Sequence, residues 1–431
     1  MTRSSGFRGL LLTALLSILP GVGSAESATS SIPATPAGHA LAAWLDAFNS
    51  GDAEKVETFA QAHAPWLSLD QQMGQRATTG GYDLASIDGS GRLWIVFHVK
   101  ERTSGTKVYG RVVVRLKDPG HITLLELVPA DSAAAEIVLD DAERDRVFEG
   151  AERLIKKLYV FPDVANATAA KLEAQRKRGD YRDIMDGEVF AVRLEDELRA
   201  LSGDGHFGLD YFAKEHPEEP GPRHHPDPRK IAASNCGFEK ADHYPPNIGY
   251  LKLNYLGEPD LCSGTASAAM NFLADSDALI IDLRDNHGGA PRMVALILGY
   301  LFDEPTHLDD IYDHGTNTTE QSWTFPYLQG KRFIGKPVYV LTSNQTFSAA
   351  EELGFDLKNL KRATLVGETT GGGAHTMAPH RIDDHFFIRV PFGRMMNPAT
   401  QRDWEGTGVE PDIKVSAADA LDEALRRARS E

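Results

Sequence analysis

The amino-acid sequence predicts an α/β protein that is organised in two or three domains. Its 431 residues are more than a single hydrophobic core usually holds. From residue 246 onward, short apolar segments such as Ala278–Leu283 and Pro337–Leu341 alternate with amphipathic helical segments, which is typical of a sheet covered by helices on both faces. The preceding residues have helical periodicity over 140–212 and mixed periodicity over 37–131, and we therefore expect two further units.

The first residues have the pattern of an export signal. Arg3 and Arg8 precede the apolar run Leu10–Leu19, which is too short to span a bilayer, and Gly23-Ser24-Ala25 offers small residues for cleavage. We therefore expect residues 1–25 to be removed and the mature protein to be exported, either to the periplasm or as a secreted protein. A retained N-terminal membrane anchor is the alternative. No later segment is apolar for long enough to cross a membrane, so no span is expected after signal removal.

Residues 37–131 are predicted to form a small α+β domain. Apolar side chains recur at helical spacing between Leu41 and Phe48, and a second helical stretch covers Ala53–His63. The period then changes to two, which indicates strands at Arg92–Val99, Val108–Leu116 and Ile122–Val128. Helices followed by a curled antiparallel sheet resemble the nuclear transport factor-like cone. Because this segment has no cluster of catalytic residue types, we expect a docking or spacer domain.

Two apolar stripes predict that residues 140–212 form a helical subdomain. The stripes consist of Val147, Ala151, Leu154 and Leu158, and of Phe190, Leu194, Leu198 and Leu201. A linker, residues 213–245, is expected next, because Glu215–Lys230 is rich in Pro, His and Glu. The histidines in this stretch could bind a metal, but a solvated linker is the simpler interpretation; they are His216, His224 and His225. Strands and helices then alternate through the predicted core domain, residues 246–431.

Composition limits the classes of partner. The chain has 62 acidic and 45 basic residues and a net charge of -17, so nucleic acid and anionic membrane surfaces would be repelled. Its two cysteines, Cys236 and Cys262, could form a disulfide in an oxidising compartment or remain two buried thiols. Two cysteines so far apart are not a zinc signature.

Ser348 stands at the start of a predicted helix, after a buried strand and a short polar turn. A hydroxyl at this place lies near free backbone amides and the positive end of the helix dipole, which favours anionic intermediates. The pattern Ser348-x-x-Glu351 is also a capping box. Taken alone, the segment is therefore better explained as a helix N-cap than as a nucleophile.

A second predicted strand runs into a double glycine, Gly288-Gly289. Adjacent glycines let the backbone approach a substrate closely and direct its amides at it. Together with the amide of Ala349 they could form an oxyanion hole, in which one donor contributes roughly 3 kcal/mol of transition-state stabilisation. Taken alone, the double glycine would be a tight strand-to-helix turn.

Four motifs follow one another along the second half of the chain. They are Asp-Leu-Arg-x-Asn-x-Gly-Gly at 282–289, Thr-Ser-x-x-Thr-Phe-Ser-Ala-Ala-Glu at 342–351, Val-Gly-Glu-Thr-Thr-Gly-Gly-Gly at 366–373 and Glu-Gly-Thr-Gly-Val-Glu-Pro-Asp at 405–412. Their order and spacing resemble the C-terminal processing (tail-specific) serine peptidases, especially the branch with tricorn protease and the interphotoreceptor retinoid-binding protein modules. The resemblance covers about residues 140–415. It implies a crotonase-like αβ sheet core preceded by a helical subdomain.

The resemblance assigns the nucleophile to Ser348 and an oxyanion donor to Gly288 or Gly289. In the Ser–Lys branch of the family a lysine lies within the segment matching Thr370–Ala374, but this chain has Gly372 there and no lysine nearby. A Ser–Lys dyad is therefore not expected, and the general base must come from elsewhere.

Tricorn-type members take their base from a histidine in the preceding helical region. The segment Leu201–Phe207 resembles that region, which makes His206 the predicted base. Such members also use a glutamate near the C-terminal motif, and Glu405 matches it. His375, just after the glycine run, is the alternative base, and Asp204 is a competing carboxylate that could orient the histidine.

These residues predict a serine-type peptidase that forms an acyl-enzyme on Ser348, with peptide or protein substrates and without a metal or an organic cofactor. A non-enzymatic binder of small apolar ligands, such as a lipid or a retinoid, is the alternative from a different class. Such a binder should lack the serine, the base or the oxyanion donor, whereas candidates for all three are present here. An esterase with the same triad is a third interpretation, because it differs only in the leaving group.

Overall fold

The structure, a computed structural model, describes residues 31–133, 138–216 and 228–430. The predicted signal sequence, residues 1–25, lies outside the described residues, as do His224 and His225. Among the helices that are described, none is both long and apolar enough to cross a membrane.

The first unit consists of helices followed by an antiparallel sheet of four strands, ordered β1-β2-β3-β4. Its elements are α1 (Pro36–Ser50), α2 (Ala53–His63), α3 (Leu69–Thr79), β1 (Tyr82–Ser90), β2 (Trp94–Glu101), β3 (Lys107–Val114), β4 (Ile122–Pro129) and α4 (Ala130–Ala133). Helix α1 begins at an N-cap, Thr35, whose side chain accepts a hydrogen bond from the amide of Gly38, and ends at Gly51 with a left-handed backbone.

Strand β2 of this sheet is buried on both faces, and its successive side chains point to opposite faces. Ile95 and Phe97 pack with the helices of the first unit. Trp94 and Val96 pack with the helices that follow in the chain. The same junction contains Arg111, which is almost wholly buried and donates to Asp186 at 2.8 Å.

The second unit is helical, as predicted, and ends in a short strand. Its elements are α5 (Asp141–Leu158), α6 (Pro162–Arg178), α7 (Gly187–Ser202) and β5 (Gly208–Tyr211). The two predicted apolar stripes lie on α5 and α7 and form a common core with the strand that pairs with β5.

The central sheet has six strands in the order β15-β12-β11-β8-β7-β6, parallel except for the β6–β7 pair. Its strands are β6 (Phe238–Tyr244), β7 (Ile248–Leu253), β8 (Ala278–Asp282), β11 (Val338–Thr342), β12 (Thr364–Gly367) and β15 (Ile413–Lys414). Helices α9 (Pro259–Leu273), α10 (Pro291–Gly299) and α11 (Ala349–Asn359) pack on one face, and α12 (Ala420–Ala428) packs on the other. Burial on both faces explains why β8 and β11 are continuous apolar runs.

A second, antiparallel sheet lies within the same half of the chain and was not predicted. Its strands run in the order β10-β9-β14-β13, and β5 also pairs with β14. They are β9 (His307–Asp313), β10 (Thr318–Trp323), β13 (His375–Arg381) and β14 (Phe386–Met396). The interval between α10 and β11 thus contains the β9–β10 hairpin.

The interval 213–245 differs from the expected linker. Residues 228–244 form α8 (Pro228–Ala233), a single 3-10 turn and the edge strand β6. Within β6 only Phe238 is buried. This strand was not predicted because a charged, exposed edge strand shows no alternation of apolar residues. Cys236 and Cys262 form a disulfide here, which joins the 3-10 turn to α9.

Candidate active site

The sequence motifs meet at the carboxyl ends of β8 and β11, which are adjacent parallel strands. The loop after β11 is tied to the loop after β8 by backbone and side-chain hydrogen bonds. The hydroxyl of Thr346 donates to the carbonyl of Leu283 at 2.9 Å, and the amide of Phe347 donates to the carbonyl of Asn286 at 3.0 Å. Functional groups of open α/β sheets gather at such strand ends, and both predicted catalytic loops lie here.

Ser348 is half-buried at the N-terminus of α11 and has an unusual backbone conformation, with φ 56° and ψ -128°. A non-glycine residue at positive φ costs about 1–3 kcal/mol and persists only where its surroundings impose it. The restraint comes from Glu351, whose buried carboxylate accepts the amide of Ser348 at 2.9 Å. The glutamate half of the predicted capping box is therefore formed.

Glu351 also binds the glycine run. Its carboxylate accepts the amides of Gly372 at 2.7 Å and Gly373 at 2.8 Å, and the hydroxyl of Thr370. Burial raises the pKa of Glu351, and these hydrogen bonds oppose that shift. One carboxylate thus fixes the nucleophile against the 370–373 loop. This second role was not predicted from the sequence.

Gly372 occupies the place of the family's lysine and cannot easily carry a side chain. Its φ is 87°, and a Cβ atom there would lie 3.1 Å from the amide nitrogen of Gly408 and 3.2 Å from backbone atoms of Gly406. A side chain at this position would therefore crowd backbone atoms that cannot move independently.

His206 lies beside Ser348. Helix α7 ends at Gly203, which has a left-handed backbone, and the turn after it carries Asp204 and His206. The Nε2 atom of His206 lies 3.2 Å from the hydroxyl oxygen of Ser348. The imidazole packs against the ring of Phe347 with 4.9 Å between the centroids, which restricts its orientation.

Asp204 contacts both histidines of the site. Its Oδ1 atom accepts the backbone amide of His206 at 2.8 Å and lies 3.6 Å from Nδ1 of the same residue. Its Oδ2 atom accepts from Nδ1 of His375 at 2.6 Å. Burial opposes ionisation of Asp204, but the hydrogen bonds with the two histidines outweigh it and hold the pKa below its ordinary value. Asp204 is therefore an ionised carboxylate at neutral pH.

Glu405 lies beside His375, at 3.5 Å from Nδ1, and accepts the amide of Ala374 at 2.6 Å. Burial and the neighbouring charge of Asp204 raise the pKa of Glu405 to about 7. Burial lowers the pKa of His375, but the hydrogen bond and charge of Asp204 outweigh it and raise the value overall. The structure therefore places Asp204 next to His206, with a hydrogen bond to its backbone amide and 3.6 Å to Nδ1 of its ring, whereas Glu405, the carboxylate predicted to orient the histidine, contacts His375.

Asp204, His206 and Glu405 each offer a ligand atom within 4.8 Å of the others, a spacing that a metal ion could also use. Both oxygens of Asp204 are already engaged by amide and imidazole donors. Asp204, His206 and Ser348 therefore lie in the order Asp–His–Ser.

The amides around Ser348 are unequal as donors. In the ranges that the structure describes, the amides of Ala349 and Gly289 have no acceptor, whereas that of Gly288 donates to Oδ1 of Asn286 at 2.8 Å. Gly288 has φ 105°, and a Cβ atom on it would lie 2.8 Å from Cβ of Ser348 and 3.1 Å from the nitrogen of Ala349. Only glycine allows the backbone to come this close to the nucleophile.

Two family profiles cover most of the chain beyond the first unit. Residues 247–415 match peptidase family S41, and residues 130–237 match the N-terminal domain of peptidase S41 in eukaryotic IRBP. Over these two segments the chain resembles peptidase family S41 and its N-terminal domain. The resemblance predicted from the four motifs is thus confirmed, including its relation to the retinoid-binding protein modules.

Curated carboxyl-terminal-processing peptidases match this chain over part of their length. The chain is 30% identical over 196 residues to carboxyl-terminal-processing peptidase 1, chloroplastic, of Arabidopsis thaliana. This match covers 44% of this chain and 38% of the relative. It is 24% identical over 192 residues to the carboxy-terminal processing protease CtpA of Bacillus subtilis, which covers 42% of this chain and 40% of the relative. The crystal structure of the tricorn protease has a TM-score of 0.44 and 13% identity, over 80% of this chain and 42% of that chain. The matches span two fifths or less of the length of these curated relatives.

Proposed function

We propose that this chain is a serine peptidase in which Ser348 attacks a peptide carbonyl and His206 is the general base. The observation that supports this proposal is the 3.2 Å contact between the Ser348 hydroxyl and Nε2 of His206, with the buried Asp204 carboxylate behind the imidazole. The curated relatives are named carboxyl-terminal-processing peptidases, and a peptide or protein substrate follows from that kinship.

In the proposed reaction, Ser348 forms a bond to the carbonyl carbon as its proton passes to Nε2 of His206. The resulting imidazolium is stabilised by Asp204, and the 3.6 Å separation from Nδ1 shortens as the charge develops, since hydrogen bonds of this kind tighten on the reaction path. His206 then gives its proton to the leaving amine, and water hydrolyses the acyl-enzyme by the same steps in reverse. Proton transfer of this kind contributes about 10²–10⁴-fold to the rate.

The tetrahedral oxyanion binds the amide of Ala349, with Gly289 as the second donor. Both amides lack an acceptor within the described residues, while the amide of Gly288 is already bonded to Asn286. We therefore assign to Gly288 the task of giving the substrate room beside Ser348, instead of donating a hydrogen bond itself. His375 holds Asp204 from the other side, and Glu405 in turn contacts His375.

The finer domain assignments belong to this proposal. The 246–431 core is of the crotonase type, residues 37–131 form a cone-like docking domain, and the chain is exported after removal of residues 1–25. The parallel central sheet with its N-terminal α+β unit supports the first two assignments. Export is supported by the basic and apolar start of the sequence and by the disulfide, which oxidising compartments favour.

The test is labelling of the purified chain with a fluorophosphonate, followed by peptide mapping and by assays on peptide and ester substrates. We expect modification of Ser348, its loss in Ser348→Ala and His206→Ala, and cleavage of peptides. Ester turnover without peptide cleavage would identify an esterase. Absence of labelling in folded wild-type protein would overturn the hydrolase and favour the apolar-ligand binder. Labelling that survives His206→Ala would move the base to His375.

A further inference from the structure

Three carboxyl groups that take no part in the proposed reaction converge inside the core. Asp309 comes from β9, while Glu352 and Asp356 come from α11, the helix that begins at Ser348. Each of the three has no exposed surface at all. One oxygen of each lies within 4.8 Å of the oxygens of the other two.

Among residues 31–133, 138–216 and 228–430, no donor outside the cluster bonds to any of the six carboxyl oxygens. The hydrogen bond open to them is the one between Asp309 and Asp356 themselves, when one of the two carries a proton. No lysine or arginine in those ranges forms an ion pair with them, and the nearby His307 pairs instead with Asp310 at 3.0 Å. The surroundings are apolar and include Leu308, Leu353 and Leu357. Carboxylates buried in such a place must be neutralised by protons, by a bound cation or by both, since one divalent cation balances two of the three negative charges and a shared proton balances the third.

The positions of the three groups favour a cation. Glu352 and Asp356 are one turn apart on α11 and therefore share a helix face. Asp309 reaches that face from a different element, and its wholly buried carboxyl meets Asp356 and no donor from outside the cluster. Two elements thus bring one oxygen from each of three carboxyl groups within 4.8 Å of the others, and the second oxygen of each group is available for bidentate binding.

We propose that Asp309, Glu352 and Asp356 form an internal binding site for a divalent cation, of which Ca²⁺ fits best. Ca²⁺ takes six to eight oxygen ligands at about 2.3–2.6 Å, so oxygens on opposite sides of it are about 4.8 Å apart. The shorter bonds of Mg²⁺, about 2.0–2.1 Å, and its preference for retained waters fit a wholly buried cluster less well. Soft metals are disfavoured because the site contains no sulfur or imidazole ligand.

The ion would be structural. It would join the second sheet, through β9, to the helix whose N-terminus holds Ser348, on the side remote from solvent. Protons compete for the same groups, because burial raises the pKa of Asp309 to about 6 and holds those of Glu352 and Asp356 well above their ordinary values. Binding should therefore release protons and strengthen as the pH rises.

The experiment refolds the full chain from denaturant at about pH 8, with either Ca²⁺ or EDTA present, and measures bound metal by mass spectrometry and the melting temperature by calorimetry. Refolding is needed because a fully buried ion cannot exchange freely in the native state. We expect about one tightly held Ca²⁺ per chain and a melting temperature several degrees higher than after refolding in EDTA.

The variants Asp309→Asn, Glu352→Gln and Asp356→Asn keep the shape of each side chain and remove its charge. We expect each to lose the bound Ca²⁺ and the response of the melting temperature to it. Asp310→Asn is the matched control, since Asp310 is adjacent but lies outside the cluster, and it should keep both. The proposal would be overturned if wild-type protein refolded in Ca²⁺ without retaining the ion and the neutral variants were at least as stable as wild type. These results would show that protons neutralise the cluster. Retention of Mg²⁺ or Mn²⁺ in preference to Ca²⁺ would overturn the assignment of Ca²⁺.

Discussion

Gly373→Ala tests whether the position of His206 determines the reactivity of Ser348. A Cβ atom at residue 373 would lie 2.6 Å from Cε1 of His206 and 2.3 Å from Cζ of Phe347. Ordinary contacts between such carbon atoms are about 3.5–4.0 Å, so both rings must move by about 1 Å. The backbone of Gly373 is not in the left-handed region, and the amide bonded to Glu351 is retained, so the change acts through the added methyl group alone.

A shift of this size would move Nε2 of His206 from 3.2 Å to about 4 Å from the Ser348 hydroxyl, beyond hydrogen-bonding distance. A 1 Å misplacement of a catalytic group can reduce the rate about 10²-fold. We therefore expect the second-order rate constant for fluorophosphonate labelling to fall about 10²-fold, with the far-UV circular dichroism unchanged.

The matched control is Gly264→Ala, at a helical position where an added Cβ meets nothing within 4 Å. It should label at the wild-type rate and gain up to about 1 kcal/mol of stability from its better helix propensity. A folded Gly373→Ala protein that labels as fast as wild type would refute the assignment of His206 as the base.

Three further predictions concern the carboxylates and the disulfide. Asp204→Asn should lower the labelling rate about 10²-fold or more, because Asp204 is the carboxylate that contacts His206. Glu405→Gln should lower the rate less than about tenfold, because Glu405 contacts His375 instead. The reverse order of effects would restore Glu405 as the residue that orients His206. Because the pKa of Glu405 is raised to about 7, the folded state binds more protons than the unfolded state between about pH 4.5 and 7, and the free energy of unfolding falls as the pH rises through this window. Glu405→Gln should remove up to about 3 kcal/mol of this fall in unfolding free energy, as measured by urea titrations at about pH 4.5 and pH 7. An identical pH dependence in the wild type and the variant would contradict the raised pKa of Glu405. Replacing Cys236 and Cys262 by Ala should cost about 3 kcal/mol of unfolding free energy, since the bond closes a loop with a sequence separation of 26, and a loss below about 1 kcal/mol would show that the unfolded chain is already restricted there.

The sequence predicted the elements whose burial leaves a periodic pattern. Strands β8 and β11 are apolar because both of their faces are covered, and the stripes of α5 and α7 face a shared core. Helix α3 was missed because it buries only Thr79 and therefore shows no apolar stripe. Strand β14 was missed because Pro391 and Gly393 interrupt its apolar sequence pattern. In the structure both residues lie within the strand and pair with β13.

The candidate site divides in the same way. Ser348 and His206 were identified from motifs that are local in sequence, and the structure brings them together across 142 positions of the chain. The contact between Asp204 and His375 spans 171 positions and depends on the unpredicted β13, so no local pattern could show it. The choice between Asp204 and Glu405 thus required the fold.

The two-sided burial of β2 has a consequence for how this protein can be divided. Cleavage between the first unit and the helices would expose Trp94 and Val96 to water on the first fragment. The apolar helix surface that these two residues cover would be exposed on the second fragment. Neither fragment would be expected to remain monomeric, because newly exposed apolar patches associate. The two units are therefore expected to resist limited proteolysis together and to acquire substitutions in concert, with a change at Trp94 compensated on α5 or α7 and seldom within its own sheet.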